Sequence, residues 1–368
     1  LSTKTLNKTF QNVYDLAAQT TNQLGLGEES ADAIRKNIAG SVEGIQKLGY
    51  DAQKSIQIAQ SMMVTLSQVT GKNTLYNDKL FGDIQGTAKV TGIEAKTLAE
   101  RFTNAGFSLE SISEKMGKTL DVARASGLNG KKVSDEMATN MSAMDKYTFQ
   151  GGIDGLTKMA AHAVQMRVDM SQTLALADKM LSPENAIDMA AALQRLGVVQ
   201  SDLLDPMRLM NMSQNDPAEL QNQIAKMSEQ FVRLNKDGNF EIAPGAKGQL
   251  REIGKELGMT GGEIEKMALA GANLDKKLKE INFSVNATED DKKLIANMSE
   301  KGKDGNYTVK IDGKTKNVDE LSKEDIDKLI EESKKGPPTI EKLAAEQLGV
   351  QKDMLAAIKG TSDLTGLA

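Results

Sequence analysis

Apolar residues recur along most of this chain at intervals of three and four, the spacing that gathers them on one face of a helix. Leu6, Phe10, Val13, Leu16 and Ala17 mark a first helix over 6–24, and Ile34, Ile38, Val42 and Ile45 mark a second over 31–48. A third runs through Ile56, Ala59, Met63 and Leu66 and stops before Gly71-Lys72-Asn73. From Asp83 onward the helices shorten. After Gly151-Gly152 a helix is predicted through Leu156, Met159, Ala160, Ala163, Val164 and Val168. Ser182-Pro183, Asp205-Pro206 and Asp216-Pro217 each read as an N-cap followed by proline in the first helical position.

The breaks between these helices share a pattern: a glycine, one apolar residue, a capping or polar residue, and an apolar residue further on. It reads Gly106-Phe107-Ser108 with Ile112, Gly127-Leu128-Asn129 with Val133, Gly258-Met259-Thr260 with Ile264, and Gly349-Val350-Gln351 with Leu355. Gly25-Leu26, Gly49-Tyr50, Gly92-Ile93 with Leu98, and Gly197-Val198 with Leu203 are looser copies with a weak or displaced cap. Glycine accepts the left-handed conformation that closes a helix, and the next apolar side chain folds back on its last turn. Where a cap follows, that side chain is also half of a hydrophobic staple on the next helix, so one residue pins two helices.

Two segments leave the helical period. Phe231-Val232-Arg233-Leu234 and Asn239-Phe240-Glu241-Ile242 alternate around Lys236-Asp237-Gly238, and Tyr307 to Ile311 faces Lys314 to Val318 across Asp312-Gly313. Asp-Gly between alternating runs predicts a hairpin. A helix follows each, the second opening at Leu321, Ser322, Asp325 and Ile326 like a capping box with a staple. The expectation is a mostly all-α chain of short and medium helices joined by tight glycine corners, with two small β-hairpins. Its divisions are an N-terminal helical segment over 1–75 and a multi-helix core over 76–282, with the hairpin near 231–243. A charged hairpin-helix unit over 283–335 follows, then a C-terminal appendage over 336–368 after Lys334-Lys335-Gly336-Pro337-Pro338.

Composition reinforces helix over strand: aromatic residues are only 4% and there is no tryptophan, so packing falls to aliphatic residues and 19 methionines. The formal charge of −5 comes from interspersed residues of both signs, which argues against specific nucleic-acid binding by a basic surface. The absence of cysteine removes disulfides and thiolate chemistry. The opening Leu1-Ser2-Thr3 shows no initiator methionine and no secretory pattern, and suggests a fragment or a processed product. No run approaches the roughly 18 apolar residues of a membrane helix, so no membrane segment is expected in this portion.

Candidate chemistry is sparse. His162 is the only histidine, borders an apolar helix face and reads as a partly buried structural residue. Asn235-Lys236-Asp237-Gly238-Asn239 and Asp304-Gly305-Asn306 resemble pieces of calcium loops, but the EF-hand spacing fails at Arg233 and Gly302, and turns are expected. At Gly261-Gly262 a helix start could hold an anion; a Thr260–Glu263 capping box is the expected occupant. Asp290-Asp291, Glu324-Asp325 and Glu331-Glu332 lie among lysines and read as solvated helix faces. Met137, Met141 and Met144, and Met159 with Met166, form helical stripes read as core, with a partner-facing groove as the alternative. No catalytic, cofactor-binding or metal-ligating residue is assigned, and the chain is read as non-enzymatic.

Ala123-Arg124-Ala125-Ser126-Gly127-Leu128, the stretch from Met159-Ala160-Ala161 to Met170-Ser171-Gln172-Thr173-Leu174, and Gly258 through Met267 together resemble the core of phage tail tape measure proteins over residues 80–280. The resemblance implies a structural virion protein lying along the tail lumen, assembled in the host cytoplasm, self-associating around the tail axis beside tail tube and baseplate hub proteins. The chain departs from the family in lacking a membrane-inserting segment and in being broken by too many corners to form one long ruler. It therefore reads as a folded part of a longer polypeptide. An α-helical interaction scaffold binding partner helices is the alternative, and a cell-wall-degrading domain is a third reading without a convincing acid pair.

Overall fold

The computed structural model describes residues 15–72, 78–199, 201–236, 239–283, 289–302 and 305–334. Of these described residues 72% are helical, and the strands among them form only two small antiparallel sheets, so the mostly all-α expectation holds. The expected helical positions Leu6, Phe10 and Val13, the Asp237-Gly238 turn, the linker at 335–338, the Gly349 corner and the terminal helices lie outside the described residues.

The chain divides into two compact units, with the boundary at Gly117 and Lys118 inside α6 (Ser111–Ala125). In the first unit the described helices are α1 (15–23), α2 (Ala31–Gln46), α3 (Ala52–Thr70), α4 (Asp78–Thr91) and α5 (Ala95–Asn104). Asp51 caps α3 by accepting the Lys54 N–H at 2.7 Å, and Gly71 ends it with φ 66°. Residues on both sides of position 75 share this core: α4 packs on α2, and α5 on α3. Its interior is Ile34, Ile38 and Ile45 of α2, Met63 and Leu66 of α3, Phe81 and Ile84 of α4, and Leu98 and Phe102 of α5. A Cβ on Gly82 would lie 3.3 Å from the Gly44 carbonyl carbon, so α2 and α4 cross at two small residues.

The second unit continues through α7 (Gly130–Thr139), α8 (Ile153–Met166), α9 (Met170–Lys179), α10 (Pro183–Arg195), α11 (Pro206–Asn215), α12 (Pro217–Glu229), α13 (Ala246–Leu257), α14 (Gly261–Glu280), α15 (Glu289–Met298) and α16 (Lys323–Lys334). α12 packs against α8, α9, α11 and α14, so its Leu220 and Ile224 lie in the centre. Between α12 and α13, β1 (Val232–Leu234) pairs antiparallel with β2 (Phe240–Ile242), Val232 opposite Ile242. Further on, β4 (Tyr307–Ile311) pairs with β5 (Lys314–Asn317) through Asp312 at φ 50° and Gly313 at φ 74°, the doubly left-handed turn that Asp-Gly predicts. An additional two-residue strand, β3 (Glu300–Lys301), pairs with β4. It is too short for its alternation to be read in the sequence. Ile281, Ile295, Val309, Ile311, Val318, Leu321, Ile326 and Leu329 form a separate small core beneath this sheet, α15 and α16.

The corners form as the punctuation predicts. At Gly106, φ 75°, the Gly106 N–H donates to the Thr103 carbonyl and the Phe107 N–H to the Phe102 carbonyl at 2.9 Å. The same pair of bonds closes Gly127, Gly258, Gly25 and Gly197, where Leu128, Met259, Leu26 and Val198 donate to Ala123, Gly254, Thr21 and Leu193. Gly92 and Gly49 make a single return bond. Asn129 caps α7 through the Lys132 N–H, and Thr260 and Glu263 form a complete capping box on α14. Asp205 and Asp216 cap α11 and α12.

Three details differ from the sequence reading. Ser108 is not followed directly by a helix: a turn intervenes, and the Ser111 N–H and hydroxyl both bond to the Ser108 carbonyl before α6 begins. Ser182 precedes Pro183 but makes no side-chain cap bond. The helix expected to reach Val168 ends at Met166, because Arg167 is itself left-handed, φ 58°, and Val168 N–H returns to the Ala163 carbonyl at 3.1 Å. Arg167-Val168-Asp169 is thus a further copy of the corner with arginine in the glycine position, and Asp169 caps α9 through the Ser171 N–H.

Candidate functional site

A corner of close backbone approach joins α13 and α14. A Cβ on Gly254 would stand 2.7 Å from the Met259 carbonyl oxygen and 3.0 Å from the Gly261 nitrogen, and one on Gly261 would stand 2.9 Å from the Arg251 Cα. Met259 is 5% exposed and Ile264 fully buried, so the staple is seated on both helices. The anion reading of Gly261-Gly262 is displaced by that capping box, whose Glu263 carboxylate also accepts from Gln172 of α9 at 2.6 Å. At Gly127 the corner is tied to α15: Asn297 Nδ2 donates to the Ser126 carbonyl at 2.7 Å, and a Cβ on Gly127 would approach Asn297 Cβ to 3.2 Å. At Phe107 the ring stays partly exposed, 5.9 Å from the Phe102 ring and under the Lys115 ammonium.

His162 lies in a cavity of ≈ 200 Å³ beside Lys158, Asp216, Glu219 and Asn222. Its Nδ1 is buried and has no hydrogen-bond partner. Burial first, then the Lys293 cation, hold its pKa down at about 4 against the opposing pull of Glu219, so the ring is neutral at pH 7. A pKa this low makes the ring a weak base, and no hydrogen bond at Nδ1 orients it. The methionine stripes are core: Met137, Met141, Met159 and Met166 are at most 4% exposed, and only Met144 is partly accessible. Exposed apolar side chains are instead Leu181 and Ile187 around the start of α10, Val199, Met207 and Leu234.

The acidic pairs divide. Asp325 is not on a solvated face; it accepts from the Ser322 N–H and hydroxyl and from Lys316 Nζ, and Lys316 above all holds its pKa at about 2. Glu324 and Glu331 are exposed, Asp291 is half-buried, and the side chains of Asp290 and Glu332 lie outside the described residues. Two half-buried carboxylates were not visible as pairs in the sequence. Glu136 of α7 accepts the Met170 N–H at 2.6 Å, and its pKa is raised by burial despite that bond. Glu229 of α12 is raised to about 7 by burial and then by Asp275 of α14. Both depend on helix crossings between residues distant in sequence, for which periodicity carries no signal.

A groove of ≈ 650 Å³ runs beside Tyr50, Lys54, Met62, Gln85, Lys89 and Glu94 in the first unit. Lys89 is committed to the Leu48 carbonyl at 2.6 Å and Lys96 to Glu100, so its cations are partly occupied. Among the described residues no group of three or more histidine, cysteine, aspartate or glutamate side chains could hold a metal ion. Among the same residues no helix is long and apolar enough to cross a membrane. No family model matches the chain, and neither the curated proteins nor the solved structures contain a match to it.

Proposed function

We propose that the chain is a non-enzymatic structural virion protein, a folded part of a phage tail tape measure protein. It contacts tail tube or baseplate hub proteins and self-associates around the tail axis, is assembled in the host cytoplasm and is located in the virion tail. The observation that carries this reading is the succession of short helices through the second unit, of which α6, α8, α10 and α13 are closed by the same left-handed corner, at Gly127, Arg167, Gly197 and Gly258. That local order underlies the resemblance over residues 80–280, and it produces a compact body with few charged side chains in its interior. The scaffold reading needs methionines displayed to a partner helix. It is weakened because Met137, Met141, Met159 and Met166 are spent on the interior.

The test is an in-frame deletion of residues 118–336 in the phage that encodes the chain. Tails that are missing or altered in length, with capsids still formed, are expected. Tails of normal length and infectivity would overturn the proposal. A stable monomer that captures amphipathic peptides and never enters particles would favour the scaffold instead.

A further inference from the structure

Gly271, Asp275 and Lys279 are spaced four apart on α14 and therefore share one face. Glu229, the last residue of α12, lies across from them. Its carboxylate sits so close to Gly271 that a Cβ there would collide with Oε1, and Asp275 stands one turn further along. An anion in this place is disfavoured three ways: it is half withdrawn from water, it meets a second carboxylate, and it lies at the negative end of a helix. The charges acting on it are Asp275 and Lys279 from α14 and Lys226 from its own helix, the two lysines opposing the effect. We infer that the α12–α14 packing is a proton-dependent latch, closed while the Glu229 carboxyl keeps its proton and loosened when it ionises.

The sign follows from linkage. Packed, the carboxyl holds its proton to about pH 7; released into water it would lose it near 4.5. Closure is therefore favoured at low pH, weakens as the pH rises from about 4.5 to about 7, and levels off above that, where both states are ionised. The gap between those two values caps the change in the opening equilibrium at roughly 300-fold. Solvent at the half-exposed side reduces it, and about tenfold is the effect to look for. This device is independent of the tail assignment, since it concerns the folded chain alone.

The experiment is amide hydrogen exchange of the whole chain at pH 5 and pH 8.5, corrected for intrinsic rates, read over 217–229 and 261–280. Protection in α12 and α14 is expected to fall about tenfold more than elsewhere in the second unit. Glu229→Gln, permanently neutral and of the same shape, is expected to abolish the excess, and Asp275→Asn, by easing ionisation in the packed state, to move its midpoint to lower pH and make it smaller. Equal pH dependence in the wild type and Glu229→Gln would overturn the latch. Should that variant not fold, carbon-13 titration of the Glu229 carboxyl in the wild type decides: a midpoint near 7 upholds the latch and one near 4.5 overturns it.

Discussion

Replacing Gly254 by alanine separates helix propensity from corner geometry. In an open helix interior, glycine to alanine gains about 1 kcal/mol. At Gly254 the new Cβ would meet the Met259 oxygen at 2.7 Å, the Gly261 nitrogen at 3.0 Å and the Thr260 carbonyl carbon at 3.0 Å. All three belong to the backbone of the corner, so no side chain can swing away. Relief requires moving the start of α14 off α13, at the upper end of overpacking costs, about 3 kcal/mol. Less the propensity gain, the expected net loss is about 2 kcal/mol. Gly248 in the same helix is the control, because nothing lies within 4 Å of its Cβ position. Gly248→Ala is expected to stabilise by about 0.5–1 kcal/mol. Urea unfolding followed by circular dichroism measures both, with unchanged slopes required for comparison. If Gly254→Ala proves as stable as Gly248→Ala, the close backbone approach at this corner is wrong.

Arg167→Gly is expected to stabilise by up to about 1 kcal/mol, since it relieves a left-handed arginine at some cost in unfolded-chain entropy; thermal melting that drops by several degrees would contradict this. Met259→Asp is expected to lose about 3 kcal/mol or more by burying an unpaired carboxylate in a staple that is 5% exposed, and Phe107→Asp less, because that ring is half in solvent; an unchanged melting temperature in both would refute the stapling role. For His162 the folded pKa of about 4 lies below 6.5, so its contribution is intact above pH 6.5 and is lost as the pH falls towards 4. That contribution is about 3 kcal/mol, and a pH–stability profile that does not flatten over pH 4–6.5 in His162→Gln would count against it.

Much of the architecture was legible because its determinants are local. Glycine, apolar residue and cap are adjacent, so Gly106, Gly127 and Gly258 could be read as helix ends, and Asp312-Gly313 as a hairpin turn, without knowing any tertiary contact. Arg167 escaped because its left-handed backbone is imposed by the surroundings rather than by its own residue type. Asp325 escaped for the opposite reason: its charged neighbours suggested a solvated face, whereas Lys316 approaches it from β5. The Glu229 site was invisible, since residues 229, 271 and 275 meet only when α12 crosses α14. The functional reading rests on the texture of the sequence, to which the tertiary contacts add no ligand or partner.

Quantitative mass spectrometry of purified, nuclease-treated particles tests the central proposal most directly. Peptides spanning 15–334 are expected in infectious virions at a constant, small copy number relative to the tail tube protein, and absent from tailless capsids. Detection of the chain only in the host lysate, with none in intact particles, would contradict a place in the tail.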